Sequence, residues 1–552
     1  MQARQDRLTR ETFDVLVIGG GISGACIAWD ATLRGLSVAL VEREDFGAAT
    51  SSASSKLLHG GIRYLQQGLL GRVRESAREQ AAFRRIAPHL VAPLTFLIPT
   101  YGLGARGKPL LRTGLWAYRA LIRDIGGSDD AMWPRQDRAL SRAEALAAAP
   151  GLAREGLTGA VQYEDYQMWS SERMTLSVLQ AAAERGAVPA NYTEVRELLL
   201  EERRVVGARV QGTLDGTQHE VRARLTVNAA GPWAFRALGP LANGVAPERV
   251  HFAKGMHLVV RQLGPERALA LSTHMKHEAV IHRGGRHIFL MPWRGHTLIG
   301  TTYEPCSGRR DDLRIREADI AGFLDVINAA YPGAKLARND VRWFYAGLYP
   351  LVGVPARTDR YQGSARYRLY DHARLAGIDG LVTALGAKYT TARALAERCT
   401  DLVLRKLSRE PEPCATATTP IYGGKFESMA RLREDARSRR PEALQPDGLE
   451  ELLRLYGGRY TEALEEAQPA DLAALGAART TPRLVVRRAA RHEMARRLGD
   501  VVFRRTGIGT IGDPGEEYLH ACAAILAEEL GWSDHQRERE LEDVRRAFCT
   551  EA

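Results

Sequence analysis

The order of apolar and polar positions at the start of the chain predicts a strand, a turn, a helix and a second strand. Residues 13–18 (FDVLVI) form a short apolar run, which is typical of a strand buried in a parallel sheet. A glycine-rich stretch at 19–24 and a small-residue helix ending near Gly35 follow. A second apolar run then covers 36–42 (LSVALVE). The chain therefore opens with a βαβ unit whose turn lies at the glycine-rich stretch.

Further periodic segments extend this pattern to about residue 408. Helical patterns are expected at roughly 72–86, 172–185 and 391–407. Strand-like runs are expected at 93–99, 205–211, 224–229, 257–262, 288–292, 297–301 and 380–384. Because strands alternate with helices, the sequence predicts an α/β architecture with a second, more antiparallel sheet between about 245 and 350.

The character of the chain changes after residue 408. Segment 409–424 (REPEPCATATTPIYGG) contains proline and is typical of a linker. The residues that follow are charged and helix-periodic to the end of the chain. The sequence therefore predicts a separate helical domain at 425–552.

Length and charge narrow the picture only in part. The 552 residues suggest two to four domains of roughly 150 residues each. Hydrophobic residues make up 45% and charged residues 26%, as expected for a globular protein. A net charge of +11 favours anionic partners such as a phosphorylated substrate, a dinucleotide or a lipid surface, and the alternative is a solvated surface rich in arginine. No nucleic-acid-binding motif accompanies the charge, so we expect no nucleic-acid partner.

Cysteine spacing and hydropathy suggest the location of the protein. The six cysteines lack the spacing of a metal site or a disulfide framework, so no metal is predicted. The residues before Phe13 are polar and charged, unlike a secretory signal, and no apolar run is long enough to span a bilayer. We expect a cytoplasmic protein. The basic and aromatic residues at 101–123 suit peripheral contact with an anionic membrane, and the alternative is a helix packed on the core.

The glycine turn carries the strongest chemical signal. Gly19, Gly21 and Gly24 form G-x-G-x-x-G between a predicted strand and a predicted helix, and Glu42 ends the next strand. Gly19 permits the tight turn, Gly21 allows the backbone to approach a pyrophosphate, and Gly24 allows close packing of helix and strand. The helix N-terminus offers N–H groups to phosphates, and Glu42 can accept hydrogen bonds from ribose hydroxyls. A dinucleotide site is predicted here.

The turn alone does not distinguish FAD from NAD. Segment 227–233 (VNAAGPW) is a strand that ends in small residues, which suits a second approach of the backbone to the cofactor. Segment 385–391 (LGAKYTT) leads into a helix whose N-terminus could face the flavin edge that gains negative charge on reduction. Both segments favour FAD without deciding the question.

Residues 50–68 (TSSASSKLLHGGIRYLQQG) resemble the signature of the flavin-dependent, quinone-linked glycerol-3-phosphate dehydrogenases. The resemblance continues through 227–233, 254–260, 291–302, 385–397 and 490–509. It implies a Rossmann-type, glutathione-reductase-like FAD domain, an α+β substrate-capping domain and a C-terminal helical domain. It also implies hydride transfer from C2 of sn-glycerol 3-phosphate to flavin N5, giving dihydroxyacetone phosphate, with electrons passed to a quinone.

The implied division of the chain is discontinuous. FAD-binding segments are expected at 1–75, 151–245 and 356–408, with a capping segment at 76–150 and a substrate domain at 246–355. The linker at 409–424 and the helical domain at 425–552 complete the chain. A homodimer is left open.

Many residues are expected to contact the cofactor, from the glycine turn and from the segments that carry the resemblance. The resemblance places Thr50, Ser51, Ser52, Ser55 and Lys56 along the flavin phosphates and ring. The full set is Gly19, Gly21, Ile22, Ser23, Gly24, Glu42, Arg43, Thr50, Ser51, Ser52, Ser55, Lys56, His59, Gly61, Val195, Ala230, Gly231, Trp233, Gly386, Lys388, Tyr389 and Thr390.

The resemblance and the chemistry together nominate residues for the substrate. A phosphomonoester needs arginine or lysine in a partly dry pocket, and a developing alkoxide needs a base within hydrogen-bond reach. His257 is the first candidate base and His59 the second, and a structural histidine is the alternative for each. Arg63 is assigned both catalysis and substrate binding, with a surface ion pair as its alternative. The expected substrate contacts are Arg63, Tyr64, Tyr349, Arg366 and Lys388.

Three positions depart from the family pattern. Tyr349 stands where the family has an arginine that binds the substrate phosphate, Tyr303 replaces the acid of G-T-T-D, and Ser171 replaces the acid of D-x-R. Loss of a buried charge-assisted contact costs about 2–5 kcal/mol, or roughly 30- to 4000-fold in affinity. The alternatives are therefore another anionic secondary alcohol, an amine as in sarcosine-type oxidases, or a flavoprotein without catalysis.

Overall fold

The structure is a computed structural model. It describes residues 6–65, 68–102, 107–125, 137–239, 250–264, 266–273, 276–277, 287–352, 360–361, 366–386, 388–476 and 479–550. Two sheets with their covering helices form the first part of the chain, and a mainly helical region forms the last part. This is the predicted α/β class.

The amino-terminal βαβ unit is confirmed. Strand Thr12–Ile18 pairs in parallel with strand Val38–Val41, whose four residues are all buried. Helix Ile22–Leu33 connects them and packs so closely that a Cβ on Gly24 would lie 1.9 Å from the carbonyl oxygen of Gly19. Small residues are therefore required where helix and strand meet.

Eight strands of the described residues form the first sheet. Its main path runs through Arg368–Asp371, Leu381–Leu385, Gln218–Asn228, Thr12–Ile18, Val38–Val41 and Val188–Ala190. The pairs from Leu381–Leu385 to Val188–Ala190 are parallel. Strands Thr193–Glu201 and Arg204–Gly212 extend the sheet in antiparallel fashion. The helices of this domain are Ile22–Leu33, Ser171–Glu184 and Ala392–Lys406, which pack against one another.

Ten strands of the described residues form the second sheet, which is mostly antiparallel. They are Leu57–Leu58, Val91–Tyr101, Arg138–Leu140, Leu157–Met168, Val250–Val260, Ala268–Ser272, His287–Trp293, His296–Gly300, Glu304–Cys306 and Val341–Val352. The predicted sheet at 245–350 is thus joined by earlier strands. Leu157–Met168, which the predicted division assigned to FAD-binding segment 151–245, pairs along its length with Val91–Tyr101. The sequence pattern of Leu157–Met168 does not indicate which sheet the strand joins, because its pairing partner is distant in sequence.

The carboxy-terminal region is helical with one two-stranded ribbon. Its longer helices are Met429–Ser438, Pro446–Tyr456, Arg483–His492, Glu516–Leu530 and Asp534–Ala547, with a π-helix at Asp500–Arg505. The preceding segment is attached to the first domain, since the Ile421 N–H donates to the Ile86 carbonyl at 3.1 Å. Buried ion pairs also join the two parts, among them Arg173 with Glu493 at 2.6 Å.

Further helices lie outside these groups. They are Arg7–Arg10, Ile62–Leu65, Leu70–Ile86, Lys108–Ile122, Arg142–Ala148, Glu317–Ala330 and His372–Ala376, of which the first and the last contact strands of the first sheet. Within the described ranges, no helix combines the length and the apolar character needed to cross a bilayer. Helix Lys108–Ile122 is amphipathic: it buries Leu111 and Leu115, while Trp116 on its outer face is 71% exposed.

Candidate active site

A cavity of about 600 Å³ lies where the two sheets meet, within the size range of ligand sites. Its wall combines the glycine turn, the loop after the second strand, the segment after Gln218–Asn228 and the turn before helix Ala392–Lys406. Most of the predicted cofactor residues line it, namely Gly19, Gly21, Ile22, Ser23, Glu42, Arg43, Thr50, Ser51, Ser55, Val195, Ala230, Gly231, Trp233, Gly386, Lys388 and Tyr389.

The glycine turn presents backbone to this cavity. Gly19 has a φ of +106°, and a Cβ there would lie 2.7 Å from the Ala229 carbonyl oxygen, so a side chain is excluded. Helix Ile22–Leu33 starts after Gly21, and no side chain of Gly21 can cap it. The Ser51 hydroxyl accepts the Ile22 N–H at 2.9 Å. The positive end of the helix therefore faces the cavity, as an anionic diphosphate requires.

Glu42 closes one end of the cavity. Its carboxylate accepts the Gly20 N–H at 2.7 Å and the Glu44 N–H at 3.0 Å. Burial raises the pKa of Glu42 to about 7, against the opposing effect of the Gly20 N–H. Hydrogen-bond donors such as ribose hydroxyls would favour its charged form.

His257 and Ser55 meet at another part of the cavity wall. His257 Nε2 and Ser55 Oγ are 2.9 Å apart, and His257 is 3% exposed. The imidazole stacks on the Tyr345 ring with centroids 5.0 Å apart, and the Tyr345 hydroxyl donates to the Ser54 carbonyl at 2.8 Å. A Cβ on Gly300 would lie 2.0 Å from His257 Cδ2, so only glycine leaves room for the ring. The imidazole is held in one orientation facing the cavity.

These residues fit a flavin dinucleotide. The start of helix Ile22–Leu33, whose N-cap residue Gly21 has no side chain, suits the diphosphate, and Glu42 suits the ribose. The buried indole N–H of Trp233, which lines the cavity, has no hydrogen-bond acceptor among the described residues. A buried donor of this kind calls for an acceptor from a bound molecule.

Lys56 lies elsewhere than predicted. Its ammonium group is 1% exposed and donates to the Ser52 carbonyl at 2.7 Å, the Ser171 hydroxyl at 3.0 Å and the Glu172 carboxylate at 2.5 Å. Burial lowers the pKa of Lys56, while Glu172 opposes that effect. Lys56 therefore anchors the loop that carries the cavity residues. Ser171, which stands where the family has an acid, thus contacts Lys56 through its hydroxyl, and the neighbouring Glu172 provides the carboxylate.

The other predicted cofactor residues behind the wall are Gly24, Ser52, His59, Gly61 and Thr390. His59 Nδ1 lies 2.7 Å from the Asp165 carboxylate, and the His59 N–H donates to the Thr390 hydroxyl at 3.3 Å. Gly61 has a φ of +88°, and a Cβ there would lie 2.9 Å from Ser76 Cβ. The Ser52 hydroxyl donates to the Ala49 carbonyl at 2.8 Å. These bonds hold the backbone beside the cavity, while His59 Nε2 is buried with no hydrogen-bond partner among the described residues.

The predicted substrate residues divide between several places. Tyr349 and Lys388 line the cavity. Tyr64 is buried behind it, with its ring centroid 4.1 Å from Lys388 Nζ. Arg63 belongs to helix Ile62–Leu65, and its side chain lies outside the described residues.

Arg366 lines a different cavity of about 1300 Å³, together with Arg72 and Arg368. Arg366 is exposed and lies two positions before edge strand Arg368–Asp371. That strand pairs in antiparallel fashion with Leu381–Leu385. Burial lowers the pKa of Arg72, and the positive charge of Arg366 adds to that effect. Arg366 therefore lines a different cavity from the one that Tyr349 and Lys388 line.

Sequence reasoning missed Tyr345 and Asp165 as neighbours of the candidate histidines, and Glu172 as the partner of Lys56. One signal was available, because Tyr345 and Tyr349 are four residues apart in strand Val341–Val352 and so share a face. In the register with strand Val250–Val260, Tyr345 lies opposite His257. No comparable local signal marks Glu172 or Asp165.

Comparison with known families agrees with this geometry. Residues 14–402 match the model of the family described as FAD dependent oxidoreductase. Residues 414–537 match the model described as the C-terminal domain of alpha-glycerophosphate oxidase. The two matches fall on the two-sheet part and the helical part of the chain.

Individual relatives extend over nearly the whole chain. A glycerol-3-phosphate dehydrogenase of Synechocystis is 33% identical over 96% of this chain and 95% of its own length. An aerobic glycerol-3-phosphate dehydrogenase of Bacillus subtilis is 30% identical over 98% and 95%. The crystal structure of a glycerol-3-phosphate dehydrogenase from Bacillus halodurans complexed with FAD has a TM-score of 0.77 and 27% identity, covering 99% of this chain and 96% of that one.

Proposed function

Because this chain belongs to the family of FAD-dependent glycerol-3-phosphate dehydrogenases, we propose that it oxidises sn-glycerol 3-phosphate to dihydroxyacetone phosphate and passes the electrons to a quinone. One observation carries this proposal: a single cavity is lined by both the dinucleotide-binding turn and the Ser55–His257 pair. Bound FAD supplies a hydride acceptor at flavin N5.

The chain's own residues bind and orient the cofactor. Gly21, Ile22 and Ser23 present the start of a helix to the diphosphate, and Glu42 accepts hydrogen bonds from ribose hydroxyls. The buried Trp233 indole N–H donates to an acceptor on the cofactor. Contacts from several segments restrict the cofactor to one orientation.

His257 accepts the proton of the substrate's C2 hydroxyl as the hydride leaves C2. Its ring lines the cavity and is held by Ser55 and by stacking on Tyr345. A base positioned in this way contributes about 10²- to 10⁴-fold in rate. His59 is the second candidate, because Asp165 orients its ring, but it lies behind the wall.

The substrate phosphate requires positive charge near the cavity. Lys388 lines the wall and supplies one cation, and Arg63 is proposed as another. Tyr349 also lines the wall, where the family pattern has an arginine, and its phenol supplies no fixed charge. This difference favours one alternative, namely a related secondary alcohol with another phosphate, phosphonate or carboxylate group.

Anaerobic mixing of the FAD-loaded protein with a panel of phosphorylated and carboxylated alcohols tests these possibilities. We expect loss of flavin absorbance with sn-glycerol 3-phosphate. If only a different anionic alcohol bleaches the flavin, that alcohol would take the place of sn-glycerol 3-phosphate as the proposed substrate. Reduction by amines with peroxide release in air would indicate an amine oxidase, and no bleaching with any compound would contradict catalysis.

Arg63→Ala tests the phosphate assignment separately. We expect a higher half-saturating substrate concentration and an unchanged content of bound flavin, because the family resemblance assigns the lost charge to the substrate. Loss of flavin with unchanged substrate affinity would contradict the assignment.

A neighbouring cavity supports the quinone as acceptor. It measures about 760 Å³, shares Thr301 with the first cavity, and is lined in part by Met256, Phe323 and Val326. Its lining also contains Lys254, Glu304 and Asp319, so the cavity offers an apolar wall for a quinone ring and polar groups for the quinone oxygens. Reoxidation of the reduced protein by a soluble quinone should be faster than by oxygen, and Val326→Asp, at a cavity position that is 42% exposed, should slow only the quinone reaction. Equal rates with oxygen would argue against the quinone.

The outer face of helix Lys108–Ile122 supports peripheral contact with the inner face of the cytoplasmic membrane. Trp116 is 71% exposed, and Arg112 and Arg119 lie one turn before and one turn after it on the same face of the helix. Apolar and basic groups on one helix face favour anionic lipid surfaces. Trp116→Ala should weaken sedimentation with anionic vesicles, and equal sedimentation of both proteins would contradict this contact. A homodimer stays a prediction.

A further inference from the structure

The π-helix Asp500–Arg505 reaches from the carboxy-terminal region to a buried aspartate beside the glycine turn. The Arg505 guanidinium donates to both oxygens of the Asp45 carboxylate, at 2.6 and 2.8 Å. The Arg504 Nε donates to the same carboxylate at 2.5 Å. Asp45 is fully buried, and burial alone would raise its pKa, but the two guanidinium groups outweigh burial and hold the pKa of Asp45 well below its usual range.

A second segment is attached to the same π-helix. The Tyr192 hydroxyl donates to the Asp500 carboxylate at 2.6 Å, and Tyr192 has a φ of +52°, which non-glycine residues adopt only under restraint. The preceding Asn191 donates to Asp45 at 3.1 Å and to the Met494 carbonyl at 2.8 Å. The π-helix thus restrains two segments at once.

Both restrained segments form the cavity wall around Glu42. The residues that line the cavity there are Glu42, Arg43, Glu44, Thr193, Glu194, Val195 and Arg196. The segments are bonded to each other, since the Tyr192 N–H donates to the Glu44 carbonyl at 2.9 Å and the Thr193 N–H to the Glu42 carbonyl at 2.7 Å. Asp45, Tyr192 and the π-helix do not line the cavity themselves.

We propose that Arg505, Asp500 and Tyr192 are positioning residues for the adenosine end of the FAD site, through which the carboxy-terminal region sets the affinity for the cofactor. The proposal rests on FAD binding as proposed above. A wall held in its binding shape before the cofactor arrives loses less conformational freedom on binding. Release of either restraint therefore weakens FAD without removing any group that touches it.

The experiment measures FAD affinity of the full-length apoprotein by quenching of flavin fluorescence. Substitutions in a hydrogen-bond network of this kind alter ligand affinity by about 2- to 30-fold. We expect Arg505→Met and Tyr192→Phe to weaken the binding of FAD within that range. Arg505→Lys keeps the charge and should restore part of the affinity. Hydrogen exchange should accelerate in segments 42–47 and 191–196 and stay unchanged in helix Ile22–Leu33.

Arg487→Met is the matched control. Arg487 pairs with Asp471 at 3.1 Å and with Glu529, all within the carboxy-terminal region and away from the cavity. Its loss should leave FAD affinity unchanged even if the region becomes less stable. Equal weakening by Arg487→Met would mean that general stability governs binding, which would overturn the proposal.

Two further results separate the possible failures. Tyr192→Phe loses only one hydroxyl and should fold even if Arg505→Met does not. If Tyr192→Phe has the FAD affinity and the hydrogen exchange of the wild type, the positioning role alone is overturned. Failure of the wild-type apoprotein to bind FAD would overturn the proposed function itself.

Discussion

Replacing Lys56 by methionine should destabilise the protein strongly, because Glu172 would keep a buried charge without its cation. The two side chains are 1% and 4% exposed, and their charged atoms lie 2.5 Å apart. Loss of one partner of a buried pair typically costs about 3–5 kcal/mol. A native fold is stable by about 5–15 kcal/mol in total, so the change is a large share of it. The Ser52 carbonyl and the Ser171 hydroxyl also lose a donor.

Urea unfolding followed by tryptophan fluorescence measures this change, with Trp293 as a local probe whose ring lies 5.6 Å from Lys56 Nζ. We expect Lys56→Met to lower the free energy of unfolding by about 3–5 kcal/mol, seen as a lower midpoint with an unchanged slope. The double variant with Glu172→Met removes both charges and should recover about 2 kcal/mol or more. If the double variant is no more stable than Lys56→Met, an uncompensated charge is not the cause.

Three further predictions concern the cofactor and the base. Gly24→Ala should destabilise by about 1–3 kcal/mol and reduce bound FAD, measured by thermal unfolding and flavin absorbance, because its Cβ would lie 1.9 Å from the Gly19 carbonyl oxygen. FAD affinity should be highest above pH 7 and fall on acidification by up to about tenfold per pH unit. The reason is that Glu42, with a pKa of about 7, must lose its proton before it can accept hydrogen bonds from ribose hydroxyls. Fluorescence titrations of Glu42→Gln should show a weaker pH dependence. His257→Asn should slow anaerobic flavin reduction by about 10²- to 10⁴-fold with unchanged FAD affinity, whereas His59→Asn should slow it less.

Each of these has a contrary outcome. A Gly24→Ala protein that melts and binds FAD like wild type would show that the helix can shift freely. A pH dependence that persists in Glu42→Gln would assign the titration to another group. A larger rate loss in His59→Asn than in His257→Asn would exchange the roles of the two histidines.

The parts of the fold that could be predicted are those whose signal is local. The βαβ unit is marked within some thirty residues by two apolar runs, three glycines and a terminal acid, and each has a direct steric or electrostatic reason. The same holds for helices Ser171–Glu184 and Ala392–Lys406, whose periodicity is visible in the chain. The glycine turn and the family resemblance together nominated cofactor residues of which most line the cavity.

The parts that could not be predicted depend on pairing between distant segments. Strand Leu157–Met168 takes its sheet from Val91–Tyr101, and Lys56 takes its partner from a residue 116 positions later. A conspicuous lysine in a loop of serines gives no sign that it will be buried beside Glu172. Arg366 likewise lies where its edge strand places it, in a cavity that its own sequence context does not indicate.

The contact between Asp45 and Arg505 has a consequence for biosynthesis, since the two residues are 460 positions apart. At a synthesis rate of about 5–20 residues per second, the ribosome completes that interval in roughly half a minute to a minute and a half. During this time the glycine turn has already emerged, while Asp45 still lacks its guanidinium partners. Tight binding of FAD is therefore a late event in synthesis, because the restraint on this part of the cofactor site forms only after Arg505 has emerged.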